Sequence, residues 1–413
     1  TIGGGWFTQD GISAFKNGRE TDGLRQYAAN GRIDVDLTPD ISLDLRGWYA
    51  RSRIEQDGFP PPFYSFADTS DIARSEQTVG YVGLKTRTGA IQHRIAFTLS
   101  DINRQNYAAP GDATPQYANY GRTKRYEYRG DWALAQRLRA LIGLEHERTQ
   151  ADDGYAVQKT HVSSGFAQII ADPVRDITLT AGLRVDDHAT YGTQVTSSAN
   201  LAWRASPRTL IRAAYGEGLK APTLFQLYSF YGNAALQPET ARSFDVGVEQ
   251  SLLSDTLQLS ATLFQRDTRD QIDFISCRGR TTGICTNRSN GTYDNKTKTR
   301  AKGIEFTSQF KATDRLNLLT SYTYLDATDR TSDTRLIRRP RHTLFADADW
   351  QSPLGLRLGA NVRVASKSDD TDFETYLPVA LGGYTLVGVR ASFPLNAGLD
   401  LYGRVENLLE DRK

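Results

Sequence analysis

The stretch "RIDVDLTPDISLDLRGWYA", residues 32–50, carries the pattern that decides the fold of this chain. Ile33 and Val35 alternate with polar residues, and after a Thr-Pro-Asp step the alternation resumes with Leu43 and Leu45. Successive side chains of a β-strand point to opposite faces, so each half predicts a strand with one apolar and one polar face. The step between them is typical of a tight turn. The stretch therefore predicts a β-hairpin.

The same period of two recurs along the chain, for example in "DTLQLSATLF" (255–264) and "GLDLYGRVENLL" (398–409). The 413 residues carry 50 Lys+Arg and 48 Asp+Glu, so no basic excess indicates a nucleic-acid partner. No segment approaches the ~20 consecutive apolar residues of a membrane-spanning helix. We therefore expect one all-β domain over residues 1–413.

Short and long connections alternate between the predicted strands. Tight turns are predicted near residues 38–39, 87–89, 135–136, 172–173, 206–207, 254–255, 313–314, 352–353 and 395–396. Longer polar and aromatic loops are predicted at about 54–77, 101–125, 149–160, 186–194, 216–241, 268–299, 326–341 and 366–382. A soluble sandwich or propeller has no reason to collect its long loops at one end, whereas an outer-membrane barrel does. The pattern predicts a transmembrane antiparallel β-barrel with about 19 strands, from nine hairpins and one leading strand at about residues 3–8.

Gly216, Gly218 and Ala221 have the G-x-G-x-x-A spacing of a dinucleotide-binding turn. Such a turn must open a helix whose N-terminus faces a pyrophosphate. Pro222 biases Ala221 away from the helical conformation, and the run up to Asn233 has no helical apolar stripe. We therefore assign the stretch to an extracellular loop.

The loop sequence "GEGLKAPTLFQLYSFYGNAALQPETARSFDVGVE" (216–249) resembles the TonB-dependent outer-membrane transporters, through its elements K-A-P-T-L, L-Y, G-N and L-x-P-E. Further stretches agree in the same order: "NKTKTRAKGIEF" (295–306), "LIRRPRHTLFADADW" (336–350) and "LYGRVENLLEDRK" (401–413). Within the family, "LYSFYGN", the early "DGF" and "TYGTQVTSSANLAW" are most similar to the cobalamin transporters.

The resemblance implies a barrel of about 22 strands with a plugged lumen, in the outer membrane of a Gram-negative bacterium. It also implies an N-terminal plug domain, so we expect this chain to be a fragment that lacks the plug, the first strands and the last strand. The implied function is binding and uptake, not catalysis. Loops capture a scarce metal chelate, here cobalamin or another corrinoid, and the TonB complex acts through the plug. A ferric-siderophore receptor is the alternative, and a passive porin or a barrel enzyme is a remoter one.

Cys277 and Cys285 lie eight residues apart in the longest predicted loop. Thiols oxidise at a cell surface, so a disulfide that staples the loop is expected. A metal role is the alternative, although no second cysteine pair stands nearby. The five histidines show no ligand spacing, and no G-x-S-x-G elbow marks a catalytic nucleophile.

Asp57, Asp68 and Asp71 fall in one predicted loop. The cobalamin transporters bind calcium through aspartate clusters in the corresponding loops, and oxygen-rich loops are what calcium requires. The next loop departs from that pattern, with Ala108 where the family has an aspartate. A structural calcium ion is one interpretation, and ordinary solvated loop charge is the other.

Aromatic residues in the predicted loops are candidates for gripping a large, partly apolar ligand. They are Tyr64, Phe66, Tyr107, Tyr117, Phe230 and Tyr231. The resemblance implies ligand contact for Tyr107, and it places Arg338 and Arg339 as a basic pair at the mouth of the lumen. The other interpretation is that these rings belong to the aromatic girdles of a barrel.

Overall fold

The computed structural model describes residues 1–15, 18, 21–61, 65–277, 279–288, 290–372, 377–396 and 398–410, except for the side chains of residues 296 and 297. Tyr64, one of the predicted ligand contacts, lies outside these described residues. Among them no helix has the length and the apolar composition of a membrane crossing.

The described residues form β-strands, one short α-helix and one turn of 3₁₀-helix. The strands are β1 (Ile2–Gln9), β2 (Leu24–Thr38), β3 (Ile41–Gly58), β4 (Ala67–Thr88), β5 (Ile91–Tyr107), β6 (Tyr117–Ala135), β7 (Leu138–Asp152), β8 (Val157–Val174), β9 (Ile177–His188), β10 (Gly192–Ser206), β11 (Thr209–Lys220), β12 (Glu239–Leu252), β13 (Leu257–Ser276), β14 (Gly291–Thr313), β15 (Leu316–Asp329), β16 (Thr334–Arg335), β17 (His342–Gln351), β18 (Arg357–Ala365), β19 (Ser368–Thr371), β20 (Pro378–Leu381), β21 (Tyr384–Asn396) and β22 (Leu399–Val405). Helix α1 covers Leu224–Tyr228, and the 3₁₀ turn covers Gly283–Cys285.

Each long strand pairs antiparallel with the next one along the chain. The two-residue β16 adds to the end of β15, which continues the sheet with β17. Strand β18 pairs with β21, and the chain between them forms the separate ribbon β19–β20. In the part of the chain that the structure describes, β1 pairs only with β2 and β22 only with β21, so the sheet is an open wall.

The two faces of the wall differ in chemistry. Leu43 lies opposite Leu84, and Leu45 lies opposite Val82, so these apolar side chains share one face. Asp44, between the two leucines, is on the other face and is only 1% exposed. Its carboxylate accepts hydrogen bonds from Arg46 and lies 3.6 Å from the Lys85 ammonium. The apolar face suits lipid, and the face with paired charges suits a water-filled interior.

The predicted wall of about 19 strands is confirmed, including the leading strand at Ile2–Gln9. All nine predicted tight turns lie at one edge of the wall, within a few residues of the predicted positions. At the turn between β4 and β5, Gly89 has a φ of +58°, a conformation that costs glycine little.

The predicted long loops are shorter than expected. Residues 54–77 were expected to be loop, but β3 continues to Gly58 and β4 begins at Ala67. The predicted loop 186–194 shrinks to residues 189–191. Beyond the lipid both faces of a strand meet water, so the apolar alternation stops while the backbone ladder goes on.

Candidate functional site

The edge opposite the tight turns carries the longer connections, and the candidate site is built there. The loop between β11 and β12 begins with helix α1, which the sequence did not predict because five residues are too few for an apolar stripe. Thr223 caps the helix by accepting a hydrogen bond from the amide of Gln226, and the Gln226 side chain accepts one from the Thr223 amide. This capping box is the sequence feature that could have predicted the start of the helix. Leu224 and Leu227 are buried.

An aromatic platform, formed by Phe225, Phe230, Tyr231, Phe274 and Tyr293, joins this loop to the ends of β13 and β14. The rings of Tyr231 and Phe274 meet edge to face with centroids 5.6 Å apart, and Phe274 and Tyr293 do so at 5.4 Å. Phe230 stands against Tyr231 at 5.1 Å and is 77% exposed. Edge-to-face contacts of this kind stabilise a fixed arrangement of rings. The platform therefore presents one exposed ring on a packed base.

The platform reaches β6 on the far side of several strands. Burial is the main cause that raises the pKa of Tyr293. The nearby phenols of Tyr117, at the start of β6, and of Tyr231 raise it further. Burial likewise raises the pKa of Tyr117. These groups lie beyond the lipid-spanning part of the strands. The loop thus folds over the mouth of the wall and does not extend away from it.

Polar side chains brace the backbone under the platform. Arg288 donates to the carbonyl of Gly232 at 2.7 Å and to the hydroxyl of Thr292. Asn233 donates to the carbonyl of Tyr293 at 2.9 Å. Buried backbone carbonyls need partners, and these bonds supply them between two loops distant in sequence.

Cys277 and Cys285 are joined by a disulfide that closes the loop between β13 and β14. Both cysteines are buried, at 1% and 3% exposure, and they pack with Ile275 and Ile284. The disulfide thus forms the small core of a loop that has little other apolar packing.

The aspartates predicted to bind calcium lie near one another where β3, β4 and the loop between β1 and β2 meet. Asp57 accepts hydrogen bonds from the Phe15 amide at 2.7 Å, from the Ser13 hydroxyl and from the Thr69 amide. Burial raises the pKa of Asp71, and burial with the nearby Asp57 raises that of Asp22. No group of three or more His, Cys, Asp or Glu residues within the described part of the chain has a metal-binding arrangement. The calcium site stays a prediction.

Tyr107 and Phe66, two predicted ligand contacts, are packed into the protein. Tyr107 is 7% exposed, lies under the guanidinium of Arg74 at 4.5 Å and donates to the side chain of Gln105. Phe66 packs against Phe15 and Phe59. The structure tests neither residue with a ligand, so their proposed contact stays a prediction.

Arg338 and Arg339 lie in the segment between β16 and β17, beside the β19–β20 ribbon. Arg338 donates from Nε to both carboxylate oxygens of Asp370, and this contact holds the pKa of Asp370 below its usual range. Arg339 donates to the carbonyl of Arg338 and is exposed. The two neighbouring arginines therefore differ in what they offer a ligand.

Sequence reasoning found Phe230 and Tyr231 but missed Phe274, Tyr293 and Arg288. The apolar alternation of Ile272 and Phe274 inside the predicted loop 268–299 was a usable signal for continued strand. No local pattern marks Arg288, because its partners lie 56 residues away in the chain and across the loop.

A wall of long antiparallel strands, with lipid-suited residues outside, charged pairs inside and tight turns at one edge, defines an outer-membrane β-barrel. The family described as "TonB dependent receptor-like, beta-barrel" matches residues 2–408, and the chain belongs to that family. Its members are outer-membrane proteins of Gram-negative bacteria.

Solved structures share the fold. A variant of the ferric enterobactin receptor PfeA from Pseudomonas aeruginosa superimposes with a TM-score of 0.79 at 20% identity, over 95% of this chain and 65% of that one. The siderophore receptor PirA from Acinetobacter baumannii gives 0.83 at 13% identity, over 99% and 71%. The copper transporter OprC gives 0.78 at 13% identity, over 99% and 70%. The chain thus spans 65% of the length of the PfeA chain.

Proposed function

We propose that this chain is the barrel of a receptor that takes up a scarce, large metal chelate across the outer membrane, driven by the TonB complex. Membership of the TonB-dependent receptor family supports the class of function. The inner face with paired charges supplies a water-lined wall, and a plug domain would close it and engage TonB. Family and fold relatives are receptors and transporters, so the chain is proposed to bind and not to catalyse.

The observation that carries the proposal is the exposed ring of Phe230 on the braced aromatic platform. A phenylalanine that is 77% exposed gains little free energy from burial in the free protein. Its backbone is nevertheless held, since Arg288 fixes Gly232 and Asn233 is bonded to β14. A pre-organised apolar contact at the mouth suits a bulky ligand, because little ordering entropy is lost on binding.

We propose a corrinoid as the chelate. The resemblance in residues 216–249 supports it, and so does the charge balance at the mouth. Of the four arginines in the segment 335–341, three face a carboxylate: Arg335 faces Asp369, Arg338 faces Asp370 and Arg341 faces Asp326. The fourth, Arg339, donates to a backbone carbonyl, so most of the positive charge of the segment is already balanced. An anionic ferric chelate would favour a mouth with unbalanced positive charge.

The alternative ligand is a ferric siderophore, the class named for PfeA and PirA. At 20% and 13% identity those structures support the fold and not the ligand. The two ligand assignments predict opposite results for one binding experiment on the intact receptor in outer membranes.

The test is equilibrium binding of cyanocobalamin and, separately, of a ferric siderophore. We expect cyanocobalamin to bind and Phe230→Ala to weaken its binding by about 1–2 kcal/mol, the scale of one buried aromatic contact. Tyr107→Ala should weaken the binding of cyanocobalamin by about 1–3 kcal/mol, because it removes the proposed contact of the ring with the ligand. Tyr155→Ala is the matched control, because Tyr155 is 92% exposed on a loop outside the platform.

Binding of a ferric siderophore without any corrinoid binding would move the assignment to the alternative. Binding of neither, in membranes where the receptor is correctly inserted, would contradict the proposed ligand classes. An unchanged affinity in Phe230→Ala would contradict the role of the platform while leaving the transport class open.

A further inference from the structure

A polar notch crosses the wall on strands β9 to β13, and we call it the inner notch. Its volume is about 350 Å³. Its lining residues form two neighbouring rows across the strands: Thr180, Asn200, Ala214 and Asp245 in one row, and Thr178, Ala202, Arg212, Gly247 and Thr262 in the other. Directly opposite residues of an antiparallel ladder point to the same face, so each row is continuous from strand to strand.

The inner notch faces the lumen near the middle of the membrane. On β10 the exposed apolar residues Val195 and Trp203 point to lipid, and Asn200 lies on the other face. Ala214 comes five residues after Thr209, the start of β11. That separation is about 17 Å along a strand and about 13 Å along the axis at a tilt of about 40°. The apolar band of such a barrel is about 25 Å tall, so the inner notch lies about half-way through it.

Long, paired side chains cover the inner face on both sides of the inner notch. Towards β7, Arg184 contacts Glu145 and Asp186, each at 2.9 Å. Towards β21, Arg390 contacts Asp347 at 2.7 Å. Donors and acceptors that are already paired offer few free hydrogen-bonding groups to a passing molecule. The short side chains of the inner notch therefore form a recess between two ion-paired sectors of the wall.

The groups that line the inner notch leave one carboxylate available. Gly247 keeps the recess open, because a Cβ atom there would lie 2.8 Å from Oγ1 of Thr262. Arg212 is balanced by Glu249 at 2.7 Å. The half-buried Asp245 makes neither an ion pair nor a hydrogen bond with the residues that the structure describes. A group that enters the inner notch therefore meets a free acceptor together with hydroxyl and amide side chains.

Primary amides match this set of groups. An amide donates two hydrogen bonds from its nitrogen and accepts at its oxygen. Asp245 accepts such a donor, whereas the side chains of Thr180, Asn200 and Thr262 both donate and accept. The rim of a corrinoid carries several uncharged primary amides. Small-molecule sites have volumes of about 300–1,000 Å³, so a cavity near the lower limit takes one edge of a corrinoid and not the whole molecule.

We propose that the inner notch is a transit site, on which the amide-bearing rim of a corrinoid rests while the ligand moves through the lumen. The inference rests on the proposed function and extends it from capture at the mouth to passage along β9 to β13. Conduction requires a contact favourable enough to enter and weak enough to leave. Hydrogen bonds to a half-buried polar recess meet both requirements, because they replace bonds to water and contribute only a small net stabilisation.

The test compares surface binding with energy-dependent uptake of radiolabelled cyanocobalamin by cells that carry the intact receptor. Ala214→Phe fills the inner notch and should slow uptake per bound ligand at least about fivefold, the scale of one displaced hydrogen bond. Surface affinity should not change, because the mouth is untouched. Ser321→Phe is the matched control and should leave uptake unchanged. Ser321 is also small, half-buried and five residues from the start of its strand, β15, but it lies outside the inner notch.

A change of ligand charge tests Asp245 without filling the recess. Cyanocobalamin monocarboxylic acid has one amide hydrolysed to a carboxylate, which Asp245 repels. Like charges about 4 Å apart give roughly a fivefold effect even in water. Uptake of the acid per bound ligand should therefore be about fivefold slower than that of cyanocobalamin in the unmodified receptor. This difference should disappear in Asp245→Asn, and this arm decides the question if Ala214→Phe does not insert into the membrane.

The inference is overturned if Ala214→Phe takes up ligand normally, if Ser321→Phe slows uptake equally, or if Asp245→Asn leaves the discrimination against the acid unchanged. A loss of surface affinity in Ala214→Phe that accounts for its slower uptake would assign the inner notch to the plug domain and also overturn it. Failure of the proposed function gives a different result, since the unmodified receptor would then bind no cyanocobalamin at the surface. That result would overturn both proposals.

Discussion

Asn295 on β14 and Gln237 in the loop between β11 and β12 form a reciprocal pair across 58 residues of chain. The Gln237 amide donates to the Asn295 side-chain oxygen at 2.7 Å, and the Asn295 side chain donates to the Gln237 carbonyl at 2.8 Å. Asn295 also donates to the carbonyl of Asp270 at 2.6 Å. One asparagine thus satisfies three backbone groups and anchors the loop that carries Phe230.

Asn295→Ala should release this loop from the wall. Loss of hydrogen bonds to three backbone groups is expected to lower the local opening free energy by about 1–3 kcal/mol. Hydrogen exchange of residues 221–238 measures the change. Gln237→Ala is the matched control, because Asn295 contacts only the backbone of Gln237 and both bonds survive. Equal loss of protection in the two variants would contradict the anchoring role.

The disulfide predicts a redox pattern at the cell surface. A thiol reagent applied to intact cells should not label Cys277 or Cys285 until a reductant is added, whereas Cys277→Ser should expose Cys285 without reductant. The double Ser variant should lose about 2–3 kcal/mol of loop stability, because the closed loop is short. Protease cleavage at the exposed Arg280 reports that loss. Labelling of the untreated protein would contradict the pairing.

The ion pair of Arg338 and Asp370 predicts a pH dependence near the mouth. The folded pKa of Asp370 is lowered, chiefly by the hydrogen bond from Arg338, relative to about 3.9 in an unfolded chain. Its contribution is therefore present above about pH 3.9 and is lost as pH falls through the lower folded pKa. Asp370→Asn should increase hydrogen exchange of the β19–β20 ribbon at neutral pH, with a ratio to the parent that approaches one at low pH. Arg339→Gln is the control and should leave this ratio unchanged.

The predicted calcium site at Asp57, Asp68 and Asp71 has a separate test. A divalent cation would offset the repulsion that helps raise the pKa values of Asp22 and Asp71. Calcium should then slow hydrogen exchange in the described residues beside the cluster, and Asp71→Asn should remove that response. Asp57→Asn is unsuitable because Asp57 also caps two backbone amides. Equal responses to calcium and magnesium, or none, would favour solvated loop charge.

The wall could be predicted from the sequence because lipid and water lie on its two sides. The alternation of Leu43, Asp44 and Leu45 follows from that difference, because the leucines face lipid and the aspartate faces water. The same signal failed beyond Ile54, where both faces meet water and the strands continue without apolar alternation. Strand ends were therefore less predictable than strand positions.

The site could be predicted only in part. Phe230 and Tyr231 were found because aromatic residues in a polar loop are conspicuous, but their base was not. Tyr293 comes 60 residues after Asn233, to which it is bonded, and no local pattern joins the two. Tyr107 was found by resemblance, yet its ring packs under Arg74, a contact that depends on the register of β4 and β5.

Neighbouring residues of the wall such as Leu144 and Glu145 face lipid and water respectively, which limits how such a protein can change during evolution. Deleting one residue within β7 would move every later side chain of that strand to the opposite environment, taking Arg184's partner Glu145 into hydrocarbon. Gains and losses of length should therefore accumulate in the connecting loops. The strands should diverge by replacement of one residue with another at constant length.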